Sequence, residues 1–416
     1  FPVFPVSPTM VSIIHDVAVL SKPLRLEGDE EGESNEPNIV KKLLLLFRNV
    51  HLGAEISNLQ LPAVFNLPKS QLQLFGESVY CVRKDMLKRC TASPTPLDRF
   101  VAVVAWSIST LRQLKFGVAP YNPVLGETHH ASRGSLNVLL EQVSHHPPVS
   151  ALHATDEAEK IEMVWCHHYA AKFHGSKVEA QVKGKRILTL HNHGETYEIQ
   201  APNLAIKTFL PSVDWVGKTK IFCRETELQA DINYSTSSFL SRGGGANSVK
   251  GKIYLQSSPS STIEEVNGRW NGIVTAKNMD SGSERVIYNA MEVVGGLSAP
   301  TVRDHHVTVT SSSSFSSCLM LPFLFSLTNQ RIWSSESAVI WSEVNRYILA
   351  KEWDNANEAK KKVERIEREL VKARARKEQP WIPKHFAISH STEDGWTCTP
   401  REKSVPPAPI ISSIGL

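Results

Sequence analysis

The sequence predicts an α+β fold, mainly β, in which helices surround one large antiparallel sheet shaped as a sandwich or barrel. Three observations predict it. Between about residues 134 and 295, short runs alternate apolar and polar side chains, among them SLNVLLEQV, KIEMVWCHHY, KVEAQV, RILTLHN, TYEIQ, AIKTFL, KIFCRET, KGKIYLQ and RVIYNAMEV. Alternation at period two gives each strand one face for the core. Turn-forming clusters, NHG, SRGGGANS and DSGS, separate the runs, and strands punctuated in this way read as an antiparallel meander. Helical periodicity lies outside this block, at 97–117 before it and at about 355–378 after it.

Taken in order, residues 1–37 form a flexible N-terminal segment, since LEGDEEGESNEP (26–37) is acidic and poor in apolar residues. NIVKKLLLLFRNV (38–50) sets Lys41, Lys42 and Arg48 around leucines and predicts a short amphipathic helix. A core-docked helix and a lid or membrane-touching element fit it equally. LDRFVAVVAWSISTLRQLKFG (97–117) reads as a helix with an apolar face, ended by Gly117 and Pro120. In NEAKKKVERIERELVKARARK (357–377), Ala359, Val363, Ile366, Leu370 and Ala373 make one apolar stripe. Lys360, Glu364 and Arg368 run beside it at spacings of four, which sets Glu364 to pair with both cations. Without an anion facing it, this is a solvated helix with salt bridges. Residues 306–329, HVTVTSSSSFSSCLMLPFLFSLTN, join a serine run to an apolar run without period, and part of this stretch is expected to be a non-native insertion in a domain spanning 38–410.

Composition narrows the function. The 416 residues are 41% hydrophobic and 21% charged, which is globular, and can build a sizeable core. A formal charge of +4 argues against nucleic acid as the main partner but leaves room for a local basic patch. The six cysteines form no close pair, so a reducing cytosol is the simplest setting. No apolar run reaches the roughly 18–20 residues that span a bilayer. FPVFPVSPTM has no basic n-region and resembles no secretory signal, and residues 1–9, ahead of Met10, read as upstream translation or a fragment end.

Histidine is plentiful, with 16 residues and the pairs His129/His130, His145/His146, His167/His168 and His305/His306. No H-E-x-x-H pattern or cysteine–histidine spacing accompanies them, so no metal site is expected, and most read as surface or satisfied core residues. No G-x-S-x-G elbow suggests a serine hydrolase. GGG at 243–245 lacks a following GK[ST] and reads as a hairpin loop.

LLEQVSHHPPVSAL (139–152) stands apart from the other pairs. Neighbouring side chains in a strand point to opposite faces. Pro147 and Pro148 cannot donate to a ladder and push His146 into extended or turn geometry. The strand therefore stops at the histidines, and both rings can turn toward one object. Two imidazoles suit a phosphate or carboxylate, more strongly when protonated. In YNPVLGETHH (121–130), Asn-Pro gives a turn and Gly126 permits close backbone approach.

These segments resemble the oxysterol-binding-protein-related lipid-transfer family, most nearly its short plant members. EQVSHHPP (141–148) matches that family's fingerprint at every position, YNPVLGET (121–128) resembles its K-P-[FY]-N-P-x-L-G-E-T block, and Lys360, Glu364 and Arg368 fit its K-x-x-x-E-x-x-x-R pattern. LPAVFNLPKSQLQ (61–73), WSEVNRYI (341–348), WIPKHF (381–386) and VPPAPI (405–410) resemble further family segments. The likeness covers about residues 18–304 and 333–410.

The resemblance implies a large incomplete antiparallel β-barrel around a hydrophobic lipid tunnel, with an N-terminal lid near 38–50 and a C-terminal helical region. It implies a cytosolic carrier, not an enzyme, that needs no cofactor and touches membranes peripherally, such as those at endoplasmic reticulum or Golgi contact sites. Its ligand would be a sterol or phospholipid, exchanged for phosphatidylinositol 4-phosphate. His145 and His146 would contact the headgroup phosphate, Lys360 and Arg368 would add charge, Glu364 would orient that face, and Asn122 would reach the headgroup. Ala119 stands where the family has a phosphoinositide-binding lysine. A lipid sensor that does not transfer, and more remotely a histidine-dependent hydrolase, are the competing readings.

Overall fold

Residues 18–24, 26, 45–46, 50–56, 59–208, 211–236, 247–303, 332–393 and 395–412 are described by a computed structural model. The stretch 306–329 and His305 lie outside the described residues, as does most of the N-terminal segment 1–37 and of the expected lid helix 38–50.

A 3₁₀ turn at Ala63–Phe65 leads into β1 (Asn66–Ser70) and then α1 (Gln71–Tyr80). The sequence dictates the start of α1: Ser70 accepts from Leu72 N while Gln73 Oε1 accepts from Ser70 N, a capping box. Helices α2 (Met86–Ala92) and α3 (Pro96–Ser109) follow, the latter capped by Thr95 with proline in its first turn. Helix α3 stops well short of Gly117. Arg112 turns back on the helix end and donates to the carbonyls of Ser109 and Leu111, and also to those of Glu77 and Cys81 at the end of α1.

The strands then come in series: β2 (Ala119–Tyr121), β3 (Thr128–Arg133), β4 (Leu136–Ser144), β5 (Val149–Asp156), β6 (Ile161–Phe173), β7 (Lys177–Lys183), β8 (Lys185–Leu190), β9 (Glu195–Gln200) and β10 (Asn203–Lys207). Next are β11 (Ser212–Cys223), β12 (Leu228–Ser235), β13 (Ser248–Leu255), β14 (Thr262–Arg269), β15 (Ile273–Asn278) and β16 (Glu284–Asn289). The run RVIYNAMEV divides at Asn289, where strand gives way to the short helix α4 (Ala290–Val294). After β17 (Thr301–Val302) come α5 (Ser337–Ile340), α6 (Ser342–Leu349) and α7 (Trp353–Arg376). The chain closes with β18 (Phe386–Ser391), β19 (Gly395–Pro400) and β20 (Ile410–Ile411).

One 16-stranded sheet dominates, in the order β16-β15-β14-β13-β12-β11-β10-β7-β6-β5-β4-β3-β20-β17, with the β8–β9 hairpin wedged between β6 and β11. Its pairs are antiparallel apart from β20 beside β3. Its path ends at β16 on one side and β17 on the other, so the described hydrogen bonding leaves the curved sheet open. The meander expected from the alternating runs is this sheet.

The main core fills the inner face. Phe100, Val104, Trp106 and Ile108 of α3 join Tyr197, Ile221, Ile253 and Val274 of the sheet in one buried cluster. Each fully buried large apolar side chain contributes about 1.5–3 kcal/mol relative to exposure. A second cluster joins Tyr121 to Trp341, Val344 and Ile348, and to Ala356 and Ala359 of α7.

The apolar stripe expected on α7 is rotated in the structure. Ala356, Ala359, Lys360 and Glu367 are buried, whereas Ile366 and Leu370 are 52% and 49% exposed. The first half of the helix packs on α6 and the 63–65 turn. The second half overhangs them, so period alone misassigns the face there.

An ion pair fastens α3 to the sheet. Arg99 donates from Nη2 and Nε to both Glu195 oxygens at 2.5 and 2.9 Å, and the Tyr197 hydroxyl adds a bond of 2.6 Å. Burial pushes the Glu195 carboxyl up, but these partners outweigh it and hold it below the usual carboxylate range. Arg99→Ala strands a buried carboxylate and is expected to cost about 3–5 kcal/mol of unfolding free energy. Urea denaturation should show a lower midpoint at unchanged slope; a loss below about 1 kcal/mol would mean the pair is solvent-screened.

Candidate functional site

A cavity of about 610 Å³ lies against the inner face of β6, β7 and β10. Tyr169 and Ala171 of β6, Val178 and Ala180 of β7 and Ile206 of β10 form its floor, matched in register across the sheet. Ile56, Leu59, Phe65 and Val118 close its sides. Polar groups gather at one end. All six residues that the sequence nominates, Asn122, His145, His146, Lys360, Glu364 and Arg368, line this one space. They come from three separated parts of the chain.

The histidines occupy a four-residue turn, 145–148, between β4 and β5. The two-faced alternation stops at Ser144, and the rings sit edge to face with centroids 4.7 Å apart. His145 Nδ1 is 3.1 Å from the Pro123 carbonyl, which can only accept, so Nδ1 carries the proton. The Nε2 atom of a neutral ring then offers a lone pair. Burial, with the neighbouring His146, pushes the His145 pKa below the ordinary histidine range.

Lys360 is already engaged. Its ammonium donates to the Leu61 carbonyl and to Asn66 Oδ1 (2.8 Å), and lies 3.9 Å from Glu364. Burial pushes its pKa down, opposed by Glu364. Asn66 passes the tie onward, donating to the Ala119 carbonyl at 3.2 Å. Glu364 reaches only one of its two expected partners: Arg368 makes no ion pair among the described residues and stands exposed at the rim. Of the three cations among the described residues that line the cavity, Lys360 is committed to structure, Lys372 pairs with Glu369 at 3.0 Å, and Arg368 is available to a ligand.

The turn that presents Asn122 is held from behind. Glu127 is fully buried and accepts from Val124 N (3.0 Å), Ser337 Oγ (2.7 Å) and Trp341 Nε1 (2.9 Å). Gly126 has φ +77°, and a Cβ there would lie 2.5 Å from the Trp381 ring, so glycine is required on both counts. Glu141, the first residue of EQVSHHPP, accepts from the backbone N–H groups of Lys384 and His385 at 2.8 Å each. Sequence reasoning missed these two carboxylates, and also Asn66 and Glu367 on the cavity wall. Their position inside the recognised segments was the available signal.

The other histidine pairs are structural where they are described. His129 bridges Tyr80 (2.9 Å) and Glu336 (2.6 Å), and His130 stacks on Trp333. His167 stacks on Trp165 at 4.2 Å. Among the described residues no cluster of His, Cys, Asp and Glu is set to hold a metal ion.

An apolar cavity of this size with a polar end is the arrangement of an amphiphile-binding pocket. Comparison with known proteins places it. The family model for oxysterol-binding protein matches residues 43–404, and the chain belongs to that family. Among its relatives are the Arabidopsis thaliana oxysterol-binding protein-related proteins 4B and 4C, each 44% identical over 398 residues, which is 94% of this chain and 97% and 98% of theirs. The fold is shared with the Osh1 ORD domain solved with cholesterol (TM-score 0.66, 21% identity, covering 95% of this chain and 94% of that one). It is shared too with the Saccharomyces cerevisiae Osh3 ORD solved with PI(4)P (TM-score 0.61, 20% identity, 93% and 95% covered).

Proposed function

We propose that this chain carries one lipid at a time, a sterol or phospholipid, between membranes, and exchanges it for phosphatidylinositol 4-phosphate. One observation carries the reading: an apolar cavity has the histidine pair, Arg368, Lys360, Glu364 and Asn122 gathered at a single end. Each CH₂ hidden from water contributes about 0.8 kcal/mol, so the apolar walls supply affinity for a tail or sterol body. The polar end suits a phosphate that stays near solvent, where charge-assisted hydrogen bonds form without full desolvation. Cholesterol and PI(4)P in the solved relatives agree with both halves. The reading is of a carrier rather than an enzyme, working in the cytosol with peripheral contact to membranes, and it calls for no cofactor.

His145→Ala combined with His146→Ala should abolish extraction of phosphatidylinositol 4-phosphate from liposomes and leave sterol uptake unchanged. Undiminished phosphoinositide extraction would refute the phosphate role, and a two-liposome assay without net transfer would favour a sensor.

A pH dependence follows from the His145 geometry. The free ring is neutral, and a bound phosphate favours the protonated form that donates from Nε2, so binding takes up a proton. The pKa rises on binding; affinity is therefore greatest at low pH and falls as pH climbs from the depressed free value to the raised bound one. The decline should reach at most about tenfold per pH unit. Subtracting the profile of His145→Asn, which keeps His146, removes the phosphate's own titration; identical profiles would sink the coupling.

Ala119 lines the cavity beside Asn122. Ala119→Lys restores the cation this family places there and should tighten phosphoinositide binding about tenfold at low ionic strength, with most of the gain lost in about 0.5 M salt. Tighter binding that is insensitive to salt would point away from a charge contact.

A further inference from the structure

Behind the cavity-lining Tyr169, along the same face of β6, the interior of the sheet becomes polar. Arg186 lies on β8 directly across from Trp165 of β6, on the same inward face as the fully buried Leu188 and Leu190. A guanidinium has five N–H donors. Among the described residues, Arg186 uses one hydrogen bond, from Nη1 to the Thr110 hydroxyl at 2.8 Å, and its buried Nε has no partner. It forms no ion pair there. Burial depresses its pKa, which marks an enclosed cation, yet the residue retains some accessible surface. Together these describe a side chain that borders an internal space.

The charged and titratable groups around it are donors or neutral. His167 is 1% exposed, stacks on Trp165 and has an unpartnered Nε2. Its Nδ1 lies 3.2 Å from the Tyr169 hydroxyl, which carries the polar chain to the cavity wall. Tyr234 of β12 faces the guanidinium from the far side and has no carboxylate beside it. The carbonyls at the end of α3 offer little compensation, since Arg112 already takes those of Ser109 and Leu111. Buried charges in folded proteins are paired, and this one has no counter-ion among the described residues.

We infer that the space behind Tyr169 binds an anionic oxygen of the cargo, and that the chain accepts amphiphiles entering carboxylate first, with Arg186 as the counter-ion. The inference rests on the lipid-carrying reading and concerns the groups behind Tyr169 rather than the histidine turn. It adds an acidic lipid to the cargo class and gives the tunnel a second polar site.

The test uses the full delipidated chain and two probes of one chain length, tritiated palmitate and tritiated hexadecanol, at pH 8. Wild type should bind palmitate about tenfold more tightly than hexadecanol, the size of one charge-assisted hydrogen bond. Arg186→Met should equalise the two while binding hexadecanol as wild type does, which also shows that the variant is folded. Arg186→Lys should keep most of the preference. Equal binding of both probes by wild type, or a preference that survives Arg186→Met, overturns the inference and leaves the carrier reading standing. Binding of neither probe also overturns the inference and leaves the carrier reading to the liposome assays with sterol and phosphoinositide.

Discussion

The mouth of the cavity depends on a carboxylate that never meets solvent. Glu127 gathers Val124 N, Ser337 Oγ and Trp341 Nε1 around two oxygens, and so joins the Asn122 turn to α5 and α6. Trp341 then stacks on Tyr121 at 4.4 Å, and the Tyr121 hydroxyl donates to Asn345. Burial pushes the Glu127 carboxyl up, and its hydrogen bonds oppose that rise. Such a site is costly unless every lone pair is used, so it tolerates one arrangement of its donors. Glu141 does the same for the WIPKHF segment. Two buried acids thus fix the Asn122 turn and the WIPKHF segment in place.

That rigidity changes the meaning of the cations. Lys360 binds the Leu61 carbonyl and Asn66, which places α7 over the cavity before any ligand arrives. Its charge is partly spent on structure, so a phosphate gains from it mainly through space. Arg368, one helical turn beyond Glu364, makes no ion pair among the described residues, and its planar guanidinium suits bidentate contact with an anion. The two residues share a motif and a helix face, but one is a strap and the other a hand.

Much of this was legible in the sequence, for identifiable reasons. Alternation marked the strands because each has one buried face. The prolines after His146 marked the end of β4 because they cannot donate to a ladder. Gly126 was readable as a close approach, which Trp381 supplies. What failed was the packing of α7: periodicity finds a stripe but not where the neighbouring element ends, and Ile366 and Leu370 lie past that point. The short span of α3 was also hidden, because Arg112 ends it through contacts that only the fold creates. The roles of Glu127 and Glu141 were illegible because a buried acid and a surface acid look alike until their donors are placed.

The cavity then poses one physical problem at two places. At the mouth, imidazoles and a free guanidinium face solvent, so an absent ligand is replaced by water at little cost. Behind Tyr169, Arg186 Nε and His167 Nε2 have no partner among the described residues. Apolar walls lie between them, and the intervening Tyr169 is itself stacked on Phe75 at 4.9 Å. A neutral hydrocarbon satisfies the walls but leaves the buried guanidinium unpaired. On the proposed reading, selectivity comes from polar groups at the mouth and behind Tyr169, with affinity supplied by the apolar walls between them.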